Sequence, residues 1–447
     1  MACDLQKRIT EHGQEHVLNF WDELTVEQQR ELERQLTNID FELLDKLEIQ
    51  NGKNDIGQLV PSPVIKLDES QRKKGIEAIE NGELAVLTVA GGQGTRLGWS
   101  GPKGTFPATP ITGKSLFQLV AEQIVFASKK YNVSIPWYIM TSNENDAVTR
   151  AFLLDNNCFG IERTDIFIFS QGEMPAVDSD GKILLASKSK LATNPDGHGG
   201  VIVALKNSGA LEEMDVKGVK YLSYVQIDNP LAQVVDPDFL GMHLSGTSSI
   251  EVTSKCVPKS CSEERVGVFC HADGKTTVVE YSDLPDKLAE EVDEQGALRF
   301  SAGSIAIHMM STDFLQRVVD DLPWHKANKI VPHIDAKTGA SVVPTNPNGY
   351  KFERFVFDIL PFAKHSLVVE TRREEEFAPI KNATGCDSAK TSQVLQNDRA
   401  VRWLKMNNVE VSDSATVEIS PLVAASPDDL LQISLPHSIS TDEIVVI

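Results

Sequence analysis

The sequence predicts an α/β protein: a doubly wound mixed sheet of Rossmann-like type, with a helical N-terminal region and a small β-rich C-terminal domain. From residue 84 onward, short apolar runs that end in turn residues alternate with stretches of helical period. This alternation is typical of strands with helices on both faces of the sheet. The first eighty residues instead repeat apolar side chains at the three- to four-residue period of one helix face.

The domain organisation follows from these changes of pattern. We expect a helical N-terminal region at 1–60, a main domain at 61–385 and a small C-terminal domain at 386–447. Thr25-x-x-Gln28 has the spacing of a capping box at a helix start. The apolar face that follows consists of Leu32, Leu36, Ile39, Leu43 and Leu47. The segment Asn51–Pro63, rich in Gly, Asn and Pro, predicts a loop after these helices.

Four apolar runs predict the parallel strands of the main sheet, because strands buried on both faces have no alternating pattern. They are LAVLTVA (84–90), WYIM (137–140), IFIFS (166–170) and YLSYVQI (221–227). A helical spacing at 115–130 lies between the first two. Such sheets bind ligands at the carboxyl ends of their strands, so the residues just after each run are the first candidates for a site.

Composition excludes several classes of function. The formal charge of −21 over 447 residues argues against a nucleic-acid partner, which needs a basic surface. No apolar stretch is long enough to span a membrane, and the first residues are too polar for a signal peptide, so we expect a cytoplasmic protein. The six cysteines include no C-x-x-C pair, which argues against a zinc site or a disulfide framework.

The most informative segment is the glycine-rich loop GGQGTRLGWSGPKG (91–104), directly after the first strand. Glycines at this place let the backbone approach a ligand, and their N–H groups can bind phosphate or a base. Arg96 and Lys103 add two cations. The loop therefore predicts a site for an anionic ligand. The cations and backbone N–H groups of this site would have to offset the repulsion from the net negative charge of the chain.

Three interpretations of this loop compete. A dinucleotide-binding G-x-G-x-x-G would match Gly92 and Gly94 but requires glycine where Leu97 stands. A P-loop at 108–115 would require glycine at its first position, where this chain has alanine. The segment also contains proline, and no predicted strand precedes it. The third interpretation is the nucleotidyltransferase loop of sugar-nucleotide pyrophosphorylases, G-x-G-T-R-L-G followed by P-K, which this segment matches.

Further motifs extend that likeness in order along almost the whole chain. They include FSQGEMPAVDSDGKI (169–183), NPDGHGG (194–200), IDNPLAQVVDP (227–237), VVEYSDLP (278–285), FERFVFDILPFAK (352–364) and FAPIKNA (377–383). The chain thus resembles the eukaryotic-type UDP-N-acetylhexosamine pyrophosphorylases and related UTP-dependent sugar-1-phosphate uridylyltransferases. The resemblance implies small-molecule substrates, UTP and a sugar 1-phosphate, and we expect the sugar to be N-acetylglucosamine 1-phosphate.

The chemistry of nucleotidyl transfer requires cations and no general base, because the attacking sugar phosphate is already anionic. By resemblance, Lys103 would contact the α-phosphate of UTP and Arg96 the pyrophosphate. Lys381 would bind the sugar-linked phosphate. Asp228, at the end of a predicted strand, would hold Mg²⁺ together with phosphate oxygens and water.

The resemblance also assigns the uracil and the sugar. Uracil would contact the backbone around Gly91, Gly92 and Gly94, together with Gln171 and Gly197, since a glutamine amide can both donate to and accept from an imide edge. The sugar would contact Glu280 and Tyr281, with Phe355 and Phe357 nearby. Phe352, Phe355, Val356 and Ile359 have helical spacing, however, so Phe355 is equally expected in the core.

Two residues depart from the N-acetylhexosamine pattern. His198 stands where those enzymes have asparagine in P-D-G-N-G-G, and Ser304 where they have asparagine in A-G-N-I. The UDP-glucose and broad UDP-sugar enzymes carry a G-H-G context, so the sugar stays open. An NAD-dependent oxidoreductase and a non-catalytic nucleotide-binding regulator are the other hypotheses. The oligomeric state is unknown from the sequence.

Overall fold

The structure is a computed structural model that describes residues 3–49 and 57–447. Its α-helices are α1 (Cys3–Glu11), α2 (Val26–Thr37), α3 (Phe41–Ile49), α4 (Arg72–Glu80), α5 (Leu116–Lys130), α6 (Asp146–Asp155), α7 (Gly200–Asn207), α8 (Ala210–Lys217), α9 (Pro237–His243), α10 (Asp286–Ala289), α11 (Thr312–Val318), α12 (Arg373–Glu376) and α13 (Ala389–Met406).

The strands of the first half are β1 (Leu59–Pro61), β2 (Ile65–Lys66), β3 (Leu84–Val89), β4 (Trp137–Thr141), β5 (Ile166–Ser170), β6 (Glu173–Pro175), β7 (Leu185–Ser187), β8 (Lys190–Leu191), β9 (Thr193–Pro195) and β10 (Tyr221–Gln226). The second half contributes β11 (Val252–Pro258), β12 (Val268–Ala272), β13 (Lys275–Val279), β14 (Ala302–Ser311), β15 (His325–Lys329), β16 (His333–Ile334), β17 (Ser341–Val342), β18 (Gly349–Glu353), β19 (Leu367–Glu370), β20 (Glu410–Val411), β21 (Thr416–Glu418), β22 (Ser438–Ile439) and β23 (Ile444–Val446).

The chain forms two compact units. The catalytic-loop unit, which carries the glycine-rich loop, comprises Gly57–Ser170, Ala204–Asp320 and Ile359–Ile447. The PDGHGG unit, named after its segment 195–200, comprises Gln171–Val203, Asp321–Asp358 and the described part of Met1–Ile56.

A large mixed sheet forms the centre of the catalytic-loop unit, in the order β2-β19-β11-β14-β10-β3-β4-β5. The four strands predicted to be parallel, β10, β3, β4 and β5, are neighbours and all parallel. β14 is antiparallel to both of its neighbours, β10 and β11, which makes the sheet mixed. The prediction of a doubly wound mixed α/β sheet is confirmed.

Helix α5 shows how local sequence positions the glycine-rich loop. Ser115 is its N-cap and accepts a hydrogen bond from the Gln118 N–H, as a serine before an apolar run predicts. Phe117, on the buried face of α5, is fully buried. A Cβ at Gly104, the last residue of the loop, would lie 2.2 Å from the Phe117 ring. The end of the loop therefore packs directly on the helix, and only glycine fits there.

The PDGHGG unit has a separate core. Leu32 and Leu36 of α2 and Phe41 of α3 pack with Val177 and Phe352. The predicted capping box at Thr25 is present at the start of α2. The predicted apolar face is divided between two helices, because α2 ends at Thr37 and α3 begins at Phe41.

The compact units divide the chain at other places than the three regions expected from the sequence. Part of the predicted loop Asn51–Pro63 lies outside the described residues, and Leu59–Pro61 within it is strand β1. Residues between Ala400 and Ile439 share a core cluster of their own. The division at 1–60, 61–385 and 386–447 stays a prediction.

None of the helices within residues 3–49 and 57–447 combines the length and the apolar character needed to cross a membrane.

Candidate active site

The glycine-rich loop leaves β3 at the carboxyl edge of the sheet and folds back on itself. The Lys103 N–H donates to the Gly92 carbonyl (3.0 Å), and the Gly94 N–H donates to the Gly101 carbonyl (2.9 Å). These bonds close the loop, so Lys103 returns next to the double glycine. A Cβ at Gly92 would have the Lys103 Cε, at 4.0 Å, as its nearest neighbour, so the space above Gly92 is open.

Leu97 explains why this loop is not a dinucleotide-binding fingerprint. Its side chain is partly buried and packs against the core of the catalytic-loop unit. The neighbouring Arg96 lies on the 3₁₀ turn Thr95–Leu97 and is exposed. The loop thus presents Arg96 outward while Leu97 anchors the turn.

Lys103 and Asp228 form the charged centre of this edge. The Lys103 Nζ donates to Asp228 Oδ2 over 3.1 Å, and the two side chains are 18% and 13% exposed. Asp228 follows β10, which is paired in parallel with β3. The two candidates meet because the carboxyl ends of neighbouring parallel strands lie at the same edge.

Lys381 is held at the same edge through the backbone. The Ile380 N–H donates to the Asp228 carbonyl (2.8 Å), and the Lys381 N–H donates to the Asp387 carbonyl (2.7 Å). The Lys381 ammonium is 3.9 Å from the Asp387 carboxylate and its side chain is 37% exposed. The structure therefore brings Lys103, Asp228 and the Lys381 segment to the same edge of the sheet, and their roles stay predictions.

Glu280 and Ser304, the predicted sugar contacts in the catalytic-loop unit, are brought together by Gly267. The Ser304 N–H donates to the Gly267 carbonyl (2.8 Å). A Cβ at Gly267 would lie 3.3 Å from Glu280 Oε1. Tyr281, the next residue, is 47% exposed. Gly267 thus lies next to both the Glu280 carboxylate and the Ser304 backbone.

In the PDGHGG unit, Asp196 connects the segments that carry Gln171 and Gly197. Its N–H donates to the Gly172 carbonyl (3.1 Å), and its carbonyl accepts from the Arg354 N–H (2.7 Å). Burial raises the pKa of Asp196 to about 6. Gln171 itself is buried, with 8% of its surface exposed. The loops at 171–172, 195–200 and 354–357 are therefore one hydrogen-bonded assembly.

Gly197 has φ +86°, and a Cβ there would lie 2.4 Å from the Arg354 carbonyl oxygen. Both facts require glycine: the left-handed backbone disfavours other side chains, and the approach of a second backbone leaves no room. This glycine is therefore a packing glycine, whatever ligand it contacts.

His198 lies within an aromatic cluster. Its ring centroid is 5.4 Å from Phe355 and 5.7 Å from Phe357, and His325 lies 4.5 Å from Phe355. The Val356 N–H donates to His198 Nδ1 (3.1 Å). Burial lowers the pKa of His198 to about 4. At neutral pH the ring is therefore neutral, with Nδ1 as acceptor and the proton on Nε2.

The expected helical face through Phe352, Phe355, Val356 and Ile359 is not found. Phe352 belongs to strand β18 and is buried in the core of its unit. Phe355 is only half buried, and Phe357 is 7% exposed. The spacing was misleading because Phe352 belongs to strand β18, whereas Val356 and Ile359 belong to the 3₁₀ helix Val356–Phe362 that follows it.

Asn145 is a residue that sequence reasoning missed. It is fully buried, its Nδ2 donates to the Ala90 carbonyl (3.0 Å), and its Oδ1 accepts from the Ser142 N–H (2.8 Å). Asn145 thus fixes the residue from which the glycine-rich loop begins. Its place, just after strand β4, was the signal that could have identified it.

Comparisons with known proteins identify the family of this chain. The family model of UTP–glucose-1-phosphate uridylyltransferase matches residues 32–428. The chain is 34% identical to the UDP-N-acetylglucosamine pyrophosphorylase of Saccharomyces cerevisiae, over 96% of each chain. It is 34% identical to UDP-N-acetylglucosamine diphosphorylase 2 of Arabidopsis thaliana, over 95% of this chain and 90% of that protein.

A solved structure shows the same fold. The uridine diphosphate N-acetylglucosamine pyrophosphorylase of Trypanosoma brucei, crystallised with an inhibitor, superposes with a TM-score of 0.83 at 27% identity, covering 97% of this chain and 95% of that one. From the glycine-rich loop, the fold and these relatives together, the chain belongs to the UTP–glucose-1-phosphate uridylyltransferase family and is a nucleotidyltransferase.

Proposed function

We propose that this chain joins UTP and a sugar 1-phosphate, with N-acetylglucosamine 1-phosphate preferred, to give a UDP-sugar and pyrophosphate. The observation that carries the proposal is the Lys103–Asp228 pair beside the open Gly92 backbone, at the carboxyl edge of parallel strands. The relatives named for N-acetylglucosamine, at 34% identity over nearly their whole length, support the choice of sugar. We expect the reaction to take place in the cytoplasm.

The reaction needs no protein nucleophile and no proton transfer. A phosphate oxygen of the sugar 1-phosphate attacks the α-phosphorus of UTP, the bond from that phosphorus to the bridging oxygen of the β-phosphate breaks, and pyrophosphate leaves with the electron pair. Charge accumulates around the α-phosphate as the anions meet. Fixed cations lower this barrier most, because they are oriented before the reaction begins.

Three cations carry these roles in the proposal. Lys103 stabilises the α-phosphate, and its 3.1 Å contact with Asp228 holds the ammonium in place before substrate binds. The exposed Arg96 binds the leaving pyrophosphate. Lys381 binds the phosphate of the sugar 1-phosphate, since its ammonium is only loosely paired.

The residues at this edge fit a magnesium ion. Within residues 3–49 and 57–447 no group of three or more His, Cys, Asp or Glu side chains could enclose a metal. Mg²⁺ commonly takes one or two carboxylates and completes its shell with substrate phosphates and water. The partly exposed carboxylate of Asp228 would supply that one ligand, and the ion would neutralise phosphate charge.

Asp228→Asn tests this ligand. The amide oxygen is neutral and a weaker ligand for a hard cation, so we expect a severalfold rise in the Mg²⁺ concentration for half-maximal rate at saturating UTP. Asp238→Asn is the control, because Asp238 is another ion-paired carboxylate of the same unit, in helix α9 with Arg72 at 2.6 Å. An unchanged metal titration for Asp228→Asn would show that Asp228 is not a ligand of the metal.

The remaining contacts are assigned residue by residue. We assign uracil to the backbone of Gly91, Gly92 and Gly94 and to Gln171 and Gly197. We assign the sugar to a second set of residues, namely Glu280, Tyr281, His198, Ser304 and Phe357. Glu280 can accept hydrogen bonds from sugar hydroxyls, and Gly267 lies next to both its carboxylate and the Ser304 backbone.

UTP–glucose-1-phosphate or broad UDP-sugar uridylyltransferase activity is the second candidate, and His198 favours it. With Nδ1 occupied by the Val356 N–H, the ring offers a substrate only its Nε2–H. An asparagine that accepted the same N–H would still offer two donors, closer to the backbone. The single donor of His198 therefore lies farther from the backbone than the two donors that an asparagine would offer at this position.

A pyrophosphate-release assay with UTP, Mg²⁺ and a panel of sugar 1-phosphates tests the proposal. We expect release with N-acetylglucosamine 1-phosphate at the highest kcat/KM. Turnover only with glucose or galactose 1-phosphate would establish the second candidate, and no release with any sugar would reject both. Replacing UTP by ATP in the same assay tests the nucleobase assignment.

A further inference from the structure

Lys255 is the most deeply buried charged side chain of the catalytic-loop unit, and none of the roles above uses it. It stands on β11 with 0% of its side chain exposed. Its Nζ donates to Asp236 Oδ2 at 2.6 Å and to both carboxylate oxygens of Glu376 at 2.5 and 2.6 Å. Burial explains this pairing, because a buried ammonium group without a carboxylate beside it would lose its hydration free energy with no compensation.

The two carboxylates belong to different segments. Asp236 ends the loop that begins at Asp228, and its Oδ1 caps helix α9 by accepting from the Asp238 and Phe239 N–H groups. Glu376 ends helix α12 and opens the segment that leads to Lys381. Lys255 therefore joins the loop after β10 to the segment after β19.

Hydrogen bonds carry this connection to the proposed site. Asn229 donates from Nδ2 to the Glu376 carbonyl (2.7 Å) and accepts at Oδ1 from the Ala378 N–H (3.0 Å). The Ile380 N–H donates to the Asp228 carbonyl (2.8 Å). Three bonds thus align residues 376–380 with residues 228–229, and Lys381 follows directly.

We propose that Lys255 is a positioning residue that holds Glu376 beside Asp236 and thereby sets where Lys381 meets the phosphate of the sugar 1-phosphate. This inference rests on the proposed function. Lys255 touches neither substrate nor reacting atoms. A buried ion cluster is weak evidence for stability, because apolar replacements of the whole cluster are often tolerated. We therefore expect the cluster to affect the position of the Lys381 side chain more than the stability of the fold.

The experiment separates positioning from stability. Lys255→Met alone would leave two buried carboxylates without a cation, so the informative variant is Lys255→Met with Asp236→Asn and Glu376→Gln, which removes all three charges. Asparagine is also a good helix N-cap, so Asp236→Asn keeps the cap of α9. Lys114→Met with Glu122→Gln is the matched control, because it removes another buried ion pair of the same unit, at 2.6 Å. Thermal stability, kcat and both KM values are measured for each.

We expect the Lys255→Met, Asp236→Asn, Glu376→Gln variant to melt within a few degrees of the wild type but to lose at least tenfold in kcat/KM for the sugar 1-phosphate. Its KM for UTP should change less than twofold, and the control should keep kcat/KM within twofold. In a Lys381→Ala background the same three substitutions should change kcat/KM less than threefold, because the group that the cluster positions is gone.

Several results would overturn the inference. One is a kcat/KM of the variant within threefold of the wild type. Another is an equal loss of kcat/KM for UTP and for the sugar 1-phosphate. A third is the same fold-loss of kcat/KM in the Lys381→Ala background as in the wild type. If the variant does not fold, Asn229→Ala takes its place, since it breaks the alignment of the segment without touching buried charge. An unchanged kcat/KM in Asn229→Ala contradicts the proposal. A wild type that makes no UDP-sugar instead overturns the proposed function, and this inference with it.

Discussion

The start of the glycine-rich loop, at Gly92, and the PDGHGG segment (195–200) require glycine for opposite reasons. At Gly92 an added Cβ would have its nearest neighbour 4.0 Å away, so the space is kept free. At Gly197 and Gly199 an added Cβ would lie 2.4 Å from the backbone of residues 354–355. The space at Gly92 is open, whereas the PDGHGG segment packs against the backbone of its own chain.

This difference teaches how a glycine motif should be interpreted. The same residue type marks a binding surface in the first segment and a packing surface in the second. Substitution of Gly92 should therefore affect turnover more than stability, whereas substitution of Gly197 or Gly199 should affect stability first.

Lys103→Ala should give the largest effect. Loss of a preorganised cation at the reacting phosphate costs about 2.7 to 4 kcal/mol, by analogy with single oxyanion-hole donors, so kcat should fall at least a hundredfold while the fold survives. Steady-state kinetics and thermal melting measure the two quantities. Lys73→Ala, on the exposed face of α4, is the control, and turnover of Lys103→Ala within threefold of wild type would contradict the assignment.

Gly197→Ala should lose stability. The left-handed φ of +86° and the 2.4 Å approach to the Arg354 carbonyl oxygen both oppose a Cβ, so we expect a loss of about 2 to 3 kcal/mol in the free energy of unfolding. Urea denaturation measures it.

Gly92→Ala is the matched control for Gly197→Ala. Its free energy of unfolding should change by no more than about 0.5 kcal/mol, since the site is open. Its kcat/KM for UTP should nevertheless fall about tenfold, because the methyl group occupies the place where backbone approaches ligand. Equal stability losses for the two alanine variants would remove the contrast between the segments.

His198 should make the PDGHGG unit sensitive to acid. Its pKa is about 4 in the folded chain and about 6.5 when unfolded, so the unfolded state binds more protons between these values. Stability is therefore full above pH 6.5 and falls as the pH decreases toward 4. Between pH 7 and pH 5 this amounts to about 2 kcal/mol.

The measurement is urea denaturation of wild type and His198→Asn at both pH values. The variant should lose about 2 kcal/mol less than wild type over this interval. Asp196 contributes with the opposite sign, because its raised pKa of about 6 favours the protonated folded form, but it is common to both proteins and cancels in the comparison. Identical pH dependence in the two proteins would show that His198 titrates normally.

The sequence predicted the open segment better than the closed one. Strand β3, the turn after it, Lys103 and Asp228 could be predicted because parallel strands end at one edge and phosphate chemistry requires cations there. Gln171, Gly197 and Glu280 were identified only through resemblance, since no local rule distinguishes them from turn residues. Lys255 was missed because a single lysine in an apolar strand does not indicate which distant carboxylates surround it.

The smallest effect is expected for the preference between two sugar 1-phosphates. His198→Asn with Ser304→Asn restores the pair of asparagines typical of the N-acetylhexosamine enzymes. We expect wild type to favour N-acetylglucosamine 1-phosphate over glucose 1-phosphate in kcat/KM, and the double variant to increase that ratio less than about tenfold. A pocket that fits loosely discriminates only roughly 10- to 200-fold, so a change of this size is within its range.

The direction of the change distinguishes the explanations. A wild-type ratio below one that rises in the double variant would reject N-acetylglucosamine as the preferred sugar and show that positions 198 and 304 determine the preference. A ratio that does not respond to the substitutions would show that neither residue contacts the 2-substituent. His198 would then act only through the Val356 N–H and the Phe355 and Phe357 rings, as the packing of its segment already allows.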